Sequence, residues 1–376
     1  MKILIDASIC SIGGGVQVAL AFINQIAVDT SFEIICVASP QLNEQIHVDI
    51  KNRIKHYYVE TNENIFKKFQ QGRRISLIEE EHKPDFVFII FGPSYWRPKA
   101  KTLQGFALGK MLYQKELNLG FYEKLLYVLK AFLFKRTDSY LVVETELVKK
   151  KLSSYLNYNM DKIFVIGNSY SPNFKLSIIN NDLKIKPLDG LFSFLVPGSY
   201  YPHKNLEKIV ESLCFLKNKI DKHSLKIKIV FTIPSNSEDW KKLFKLAQDL
   251  KVDHLIETVG FIENAKFAEL YLKNNAVICA SLVESSTAVF PEAFIANRPL
   301  LVSDRPFAKE LCEHAAIYFD PLDEKSIANA MWSIVYDSDL HKTMVKNGQD
   351  ILLKNYPTAE KKWFLQKQLI IDLLNK

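Results

Sequence analysis

The chain reads as an α/β protein made of two parallel-sheet domains, and three observations predict it. Short apolar runs of strand type alternate with helical patterns along the whole chain, the order a parallel sheet needs. Many runs end in loops of small or polar residues before a helix begins, as in a strand–loop–helix unit. The pattern breaks over residues 170–190, which hold Pro172, Pro187, Gly190 and several Asn, and then restarts. A length of 376 residues fits two domains. The expected boundaries are 1–180 for the first domain, 181–357 for the second and 358–376 for a final helix.

In the first half, a strand over 2–6 leads to a small-residue loop, 7–15, ending in Gly13-Gly14-Gly15, and a helix follows over 16–27. Strand, glycine-rich loop and helix bring backbone N–H groups close to a phosphate; a flexible turn is the alternative. Strands are expected over 32–38 and 54–59, a helix over 64–82, and a buried strand over 84–90. After it, Tyr95-Trp96-Arg97 makes an aromatic, basic loop at a strand's C-terminal end, where ligands of open α/β sheets sit. These three are the candidates for an acceptor side, with Thr102, Gln104 and Gly105 there by position alone. Tyr95 and Trp96 either stack on a sugar or shield a core edge. A strand over 139–143, a helix capped by Thr145 and a strand over 162–166 complete this half.

In the second half, a strand over 191–196 ends in Pro197-Gly198-Ser199, and Lys204-Asn205 precedes a helix from Leu206. A lysine at a loop-to-helix junction near a glycine is placed to neutralise a diphosphate; a surface lysine is the alternative. A strand over 227–231, a helix over 238–250, a short strand over 256–260 and a helix over 267–273 lead to the most informative stretch, 277–304. There an apolar strand is followed by a polar turn with Glu284, a helical pattern over 288–296 with Glu292 early in it, and a strand opened by Pro299. Thr287 is the expected cap, and Pro291 falls where a helix loses no hydrogen bond. The free N–H groups of residues 287–290 favour an anion. Two carboxylates beside that anion suit a ligand that also carries hydroxyl pairs, as a nucleotide sugar does. A surface glutamate and a capping glutamate are the alternative. Strand 317–321, the helix from Ser326 and an amphipathic helix over 358–374 close the chain.

Glu284, seven residues, Glu292, then Pro299 and Ser303-Asp304 resemble the signature of the retaining glycosyltransferases of sequence family 4. The resemblance implies the GT-B fold: two Rossmann-like domains facing across a cleft, with a C-terminal helix crossing back to the first. It implies catalytic roles for Lys204, on the donor phosphates, and Glu284, on the donor sugar. Further donor contacts would come from Gly14, Gly15, Ser199, Phe261, Ser286, Thr287 and Ala288, with Glu292 on the ribose. The chain departs from the family at Ser285-Ser286-Thr287, where glycines surround an aromatic residue, and at Ser199, where many members have arginine. The implied activity is sugar transfer from a nucleoside-diphosphate sugar to a saccharide or lipid-linked saccharide acceptor, in bacterial surface polysaccharide assembly. An epimerase of the same fold and an inactive nucleotide-sugar-binding protein are the rival readings.

Hydrophobic residues at 48% and charged residues at 24% allow two full cores. The net charge of +7 suits anionic ligands or an anionic membrane surface, and no nucleic-acid-binding module is present in the sequence. Asp337-Ser338-Asp339 matches the DxD pattern of metal-dependent glycosyltransferases but falls between two helical patterns, so a turn and cap is expected. No metal and no cofactor is expected. Five scattered cysteines without CxxC spacing, no signal pattern and no apolar run near about 18 residues predict a cytoplasmic protein, peripheral to a membrane at most. The membrane candidate is 109–136, where a helix dense in aromatics also carries Lys124, Lys130, Lys135 and Arg136; a core helix with emergent lysines is the alternative.

Overall fold

The computed structural model describes residues 1–11, 13–61, 65–114, 116–117, 119–181 and 189–376. The helix start expected at Asn64, positions 115 and 118 of the membrane candidate, and linker residues 182–188 lie outside them.

The chain forms two compact units, residues 1–169 with 358–376, and residues 170–357. The first holds a sheet of β1 (Lys2–Ala7), β2 (Glu33–Ala38), β3 (His56–Val59), β4 (Phe86–Ile89), β5 (Lys101–Gly105), β6 (Tyr140–Val143) and β7 (Ile163–Val165), in the order β3-β2-β1-β4-β5-β6-β7. The second holds β8 (Phe192–Val196), β9 (Ile227–Phe231), β10 (Ile256–Thr258), β11 (Ala276–Cys279), β12 (Leu300–Ser303) and β13 (Ala316–Phe319), in the order β10-β9-β8-β11-β12-β13. Neighbouring strands pair in parallel. The apolar runs are continuous because central parallel strands are covered on both faces: β1 reads KILIDA and is buried from Ile3 onward.

Each sheet reverses its strand order once, between β1 and β4 and between β8 and β11. At such a reversal the loops leave the carboxyl ends of adjacent strands in opposite directions and open a crevice.

The sequence reading differs from this fold in two places. The first unit ends near residue 169 rather than 180, because helix Pro172–Asn181 buries Phe174 and Ile178 in the second unit. Phe174 meets the Tyr271 ring edge-on, with centroids 5.3 Å apart. The final helix, Ala359–Asn375, belongs to the first unit, with Trp363 against Phe22 and Phe32 and Ile370 and Leu373 buried.

Second, residues 101–105 are strand β5, which its polar sequence KTLQG conceals. Gln104 is fully buried: its Oε1 accepts from Ser94 N at 3.0 Å and its Nε2 donates to Thr137 Oγ1 at 2.7 Å. Thr102 is buried with its hydroxyl on the Ala100 carbonyl. A Cβ at Gly105 would lie 2.0 Å from the Ile90 carbonyl oxygen. All three belong to the sheet and none lines an acceptor surface.

For helix Phe121–Arg136 the alternative of a core helix does not hold: only Leu133 and Phe134 are buried. Phe121 (85% exposed), Leu125, Val128 and Phe132 (59%) stand out in water at spacings of four, three and four, one stripe of a helix. No helix among the described residues is long and apolar enough to cross a membrane.

Candidate donor site

The reversal of the second sheet collects the charged residues of the sequence motif. After β8 the chain turns through Gly198, at φ +112°, whose N–H and carbonyl are both held by the Thr232 hydroxyl. A short turn, Pro202–Lys204, ends at Asn205 in the left-handed region (φ +58°), and helix Leu206–His223 starts there. The Asn205 side chain donates to the Pro321 carbonyl at 2.7 Å, which fixes this junction. The loop after β11 is tied to it, since Leu282 N donates to the His203 carbonyl at 2.8 Å.

That tie brings Lys204 and Glu284 together. Lys204 Nζ donates to Glu284 Oε1 at 2.6 Å, and the Ser281 hydroxyl donates to the same oxygen at 2.9 Å. The two side chains are 19% and 12% exposed, so the pair is largely out of water but open on one side. Burial alone would lower the Lys204 pKa; the Glu284 carboxylate outweighs it and holds the ammonium above its ordinary value. A pair so placed can exchange its mutual contact for a ligand that offers a better partner to each member.

Glu292 is placed differently. It lies in helix Val289–Ile295, and its carboxylate accepts from the Tyr271 hydroxyl at 2.8 Å. Burial pushes its pKa up to about 7, against the lowering effect of the Tyr271 hydrogen bond. Burial raises the pKa of the Cys279 thiol, at the end of β11.

The loop between them starts its helix later than expected. Ala288, exposed, is the capping position; Thr287 is buried and its hydroxyl accepts from Val289 N at 3.3 Å. Pro291 is then the third helical residue, still in the first turn, where it costs no hydrogen bond. Ser285 and Ser286 are half-buried and Ser199 is exposed. Phe261, 79% exposed, follows Gly260 after β10, two strands from β8.

Comparison with known proteins shows what this unit is similar to. Residues 180–351 match the family described as Glycosyl transferases group 1. The matched residues lie within the second unit, residues 170–357. The chain is 29% identical over 221 residues to the O-antigen chain mannosyltransferase RfbU of Salmonella typhimurium, a match spanning 53% of this chain and 56% of that protein. It thus spans about half the length of the curated relatives it matches. Among solved structures, a glycosyltransferase from Rickettsia africae superposes with a TM-score of 0.76 at 16% identity, over 100% of this chain and 99% of that one. HepE of Anabaena, in complex with UDP and glucose, superposes with a TM-score of 0.74 at 14% identity, over 99% and 100% of the two chains. The likeness establishes the fold: two Rossmann-like α/β domains of the GT-B type.

Other sequence candidates fall out as follows. In the first unit, Gly14 and Gly15 open helix Gly14–Ile26 rather than ending a loop, with Gly13 before them at φ +54°. A Cβ on Gly14 would meet nothing within 4 Å, and on Gly15 only the Phe91 ring at 3.8 Å, so the protein's own described packing does not require glycine at either. Tyr95 and Trp96 are 8% and 5% exposed and have no ring face for a sugar. Tyr95 is packed edge-on against Phe69, and Trp96 donates its indole N–H to Asp6 at 3.2 Å. Their apolar area is worth more in the core than at the loop tip; only Arg97 is exposed. Asp337 is a cap: its Oδ1 accepts from Asp339 N and Leu340 N at the start of helix Ser338–Asn355.

Sequence reasoning missed Tyr271 and Ser281. Ser281 lies three residues before Glu284 and was within reach of a local reading. Tyr271 comes from helix Asn264–Lys273, 21 residues before Glu292, with no signal in the spacing.

Proposed function

We propose that the protein transfers a sugar, with retention of configuration and without a metal ion, from a nucleoside-diphosphate sugar to a saccharide or lipid-linked saccharide acceptor in surface polysaccharide assembly of the O-antigen kind. The observation that carries this is the Lys204–Glu284 pair, 2.6 Å apart at the strand-order reversal of the unit that holds the match to Glycosyl transferases group 1. The mannosyltransferase RfbU and the UDP and glucose bound in HepE support the substrate class.

In this reading Lys204 turns from Glu284 to the diphosphate, aided by the backbone N–H groups of Ser286, Thr287 and Ala288. Freed of its partner, Glu284 accepts hydrogen bonds from the donor sugar, and Glu292 accepts from the ribose hydroxyls. Phe261 and Ser199 flank the nucleotide. The bond from the anomeric carbon to the phosphate oxygen breaks, the acceptor oxygen bonds to that carbon on the same face, and the acceptor proton passes to the leaving phosphate. Lys204 and the N–H groups stabilise the developing diphosphate charge, so no side-chain base is required.

The exposed stripe of helix Phe121–Arg136, flanked by Lys124 and Lys135, is assigned to an anionic membrane surface carrying the acceptor. Two experiments test these readings. Purified protein is incubated with UDP-glucose and GDP-mannose and the anomeric product followed by NMR; neither transfer nor donor hydrolysis with either would sink the enzyme reading. Sedimentation with phosphatidylglycerol vesicles should fall for Phe121→Ser/Phe132→Ser and for Lys124→Gln/Lys135→Gln, and equal binding by all three proteins removes the membrane assignment.

A further inference from the structure

The first sheet reverses its strand order between β1 and β4, and the physical reason for a crevice there is the same as in the second. What fills that place is a small pocket in which a few polar groups stand in a largely apolar lining that includes Ile75, Ile89 and Phe91. Asp6 and Ser8 come from the end of β1, Ser94, Tyr95 and Trp96 from the loop after β4, and Lys68 and Gln71 from helix Ile65–His82. Its interior volume is ≈ 10 Å³, room for one water-sized group.

The pocket offers both halves of a hydrogen-bonding pattern. Asp6 is the acceptor: one carboxylate oxygen takes Ser8 N at 3.1 Å and Ser8 Oγ at 2.6 Å, the other the Trp96 indole at 3.2 Å. Gln71 is the donor. It is 2% exposed, and its Nε2 has no hydrogen-bond partner among the described residues. Burying an amide N–H without a partner is costly, and most buried polar groups in native proteins avoid it. The helix is nevertheless held against the loop, since a Cβ on Gly72 would lie 2.8 Å from the Tyr95 carbonyl oxygen. Lys68 closes the rim with its ammonium 5.5 Å from the Tyr95 ring centre.

A group that fits must accept from Gln71 and coexist with a carboxylate. An anion meets Asp6, a cation meets Lys68, and an apolar group leaves Gln71 unpaired. A hydroxyl accepts from one and donates to the other.

We infer that this pocket is a saccharide-hydroxyl subsite, in which Gln71 donates to and Asp6 accepts from one hydroxyl of the sugar acceptor, so that the acceptor is selected by that hydroxyl. The acceptor role rests on the sugar-transfer reading; the hydroxyl recognition does not.

The test uses the full chain with Gln71→Met, which keeps length and removes the amide, and Gln71→Glu, which keeps shape and removes the donor. Binding of methyl α-glucoside, α-galactoside and α-mannoside, and of their monodeoxy forms, is followed by saturation-transfer NMR. UDP and GDP binding is measured by calorimetry, and the melting temperature of each protein is recorded. Wild type should bind a glycoside and reject one of its monodeoxy forms. Both variants should bind the parent about tenfold more weakly, the worth of one hydrogen bond, and no longer distinguish it from that deoxy form. Gln71→Met should melt no lower than wild type, because an orphaned buried donor is gone. Glycoside affinity unchanged in both variants, no glycoside bound by wild type, or a melting loss in Gln71→Met with parallel loss of nucleotide binding would each overturn the subsite. A wild type that binds glycosides but no nucleoside diphosphate removes the transfer reading and leaves the subsite standing.

Discussion

The two units reverse their strand order at the same place in their sheets and equip it in opposite ways. At β8/β11 a full ion pair, Lys204 and Glu284, sits with both members satisfied by each other. At β1/β4 the carboxylate of Asp6 is buried among neutral donors, and the Gln71 amide is left open. Topology provides the crevice in both cases; the charge placed in it decides what enters. A paired lysine and glutamate suit a ligand with a diphosphate and hydroxyls, whereas a neutral donor beside a carboxylate suits a hydroxyl alone. Mutations in the two places should therefore separate by ligand.

The largest effect is expected at Lys204. Lys204→Ala should raise the barrier to turnover by roughly 2–4 kcal/mol, while Gln71→Met leaves the affinity for UDP or GDP untouched. Steady-state kinetics and calorimetry on the two variants check this; a folded Lys204→Ala enzyme with normal turnover would end the role of the lysine.

A smaller effect belongs to Glu292. A proton on its carboxyl competes with ribose hydroxyls for its lone pairs, so nucleoside diphosphates should bind more tightly as pH rises through about 7. The gain between about pH 6 and pH 8 should be about tenfold, and Glu292→Gln should abolish the dependence. Stability runs the other way. The folded pKa lies above the unfolded one, so raising the pH from the ordinary carboxyl range through about 7 costs stability. Relative to wild type, Glu292→Gln should then melt higher at pH 8 than at pH 5, and a pH-independent difference would contradict the burial of this carboxyl. Glu284→Ala should spare the free nucleoside diphosphate and weaken the sugar-bearing donor, which divides its role from that of Glu292.

Tyr271→Phe should cost about 1 kcal/mol of nucleotide affinity near neutral pH and move the pH midpoint upward, because the lost hydroxyl stabilises the Glu292 carboxylate. Identical pH profiles for Tyr271→Phe and wild type would show that the two do not act together. The smallest expected effect is none: activity should survive EDTA, since Lys204 and backbone N–H groups provide the positive charge. Loss on chelation and recovery with Mg²⁺ would return Asp337 and Asp339 to consideration.

Local pattern was enough for most of the fold. The apolar runs of β1, β2, β4, β8, β9, β11 and β12 and the helices after them were legible because buried parallel strands need unbroken apolar sequence. Lys204 and Glu284 were legible because each sits at a strand-to-helix junction, a place marked by short-range signals. β5 was not, because its buried Gln104 and Thr102 meet their hydrogen bonds through Ser94, Thr137 and the Ala100 carbonyl, partners that no local periodicity records.

The sequence by itself thus determined that this is a doubled parallel α/β protein with a lysine and two glutamates in the loops and helix that follow its strands, since strand and helix patterns are written in neighbouring residues. Tertiary structure alone decided the rest. It gave Lys204 to Glu284, 80 positions away, and Tyr271 to Glu292; it turned Tyr95 and Trp96 inward and left Phe121, Leu125, Val128 and Phe132 facing water; and it buried the Gln71 amide without a partner. The reason is physical. Burial and pairing belong to contacts between distant segments, and the cost or gain of a charge, a ring or an amide is set by those contacts and not by its neighbours in the chain.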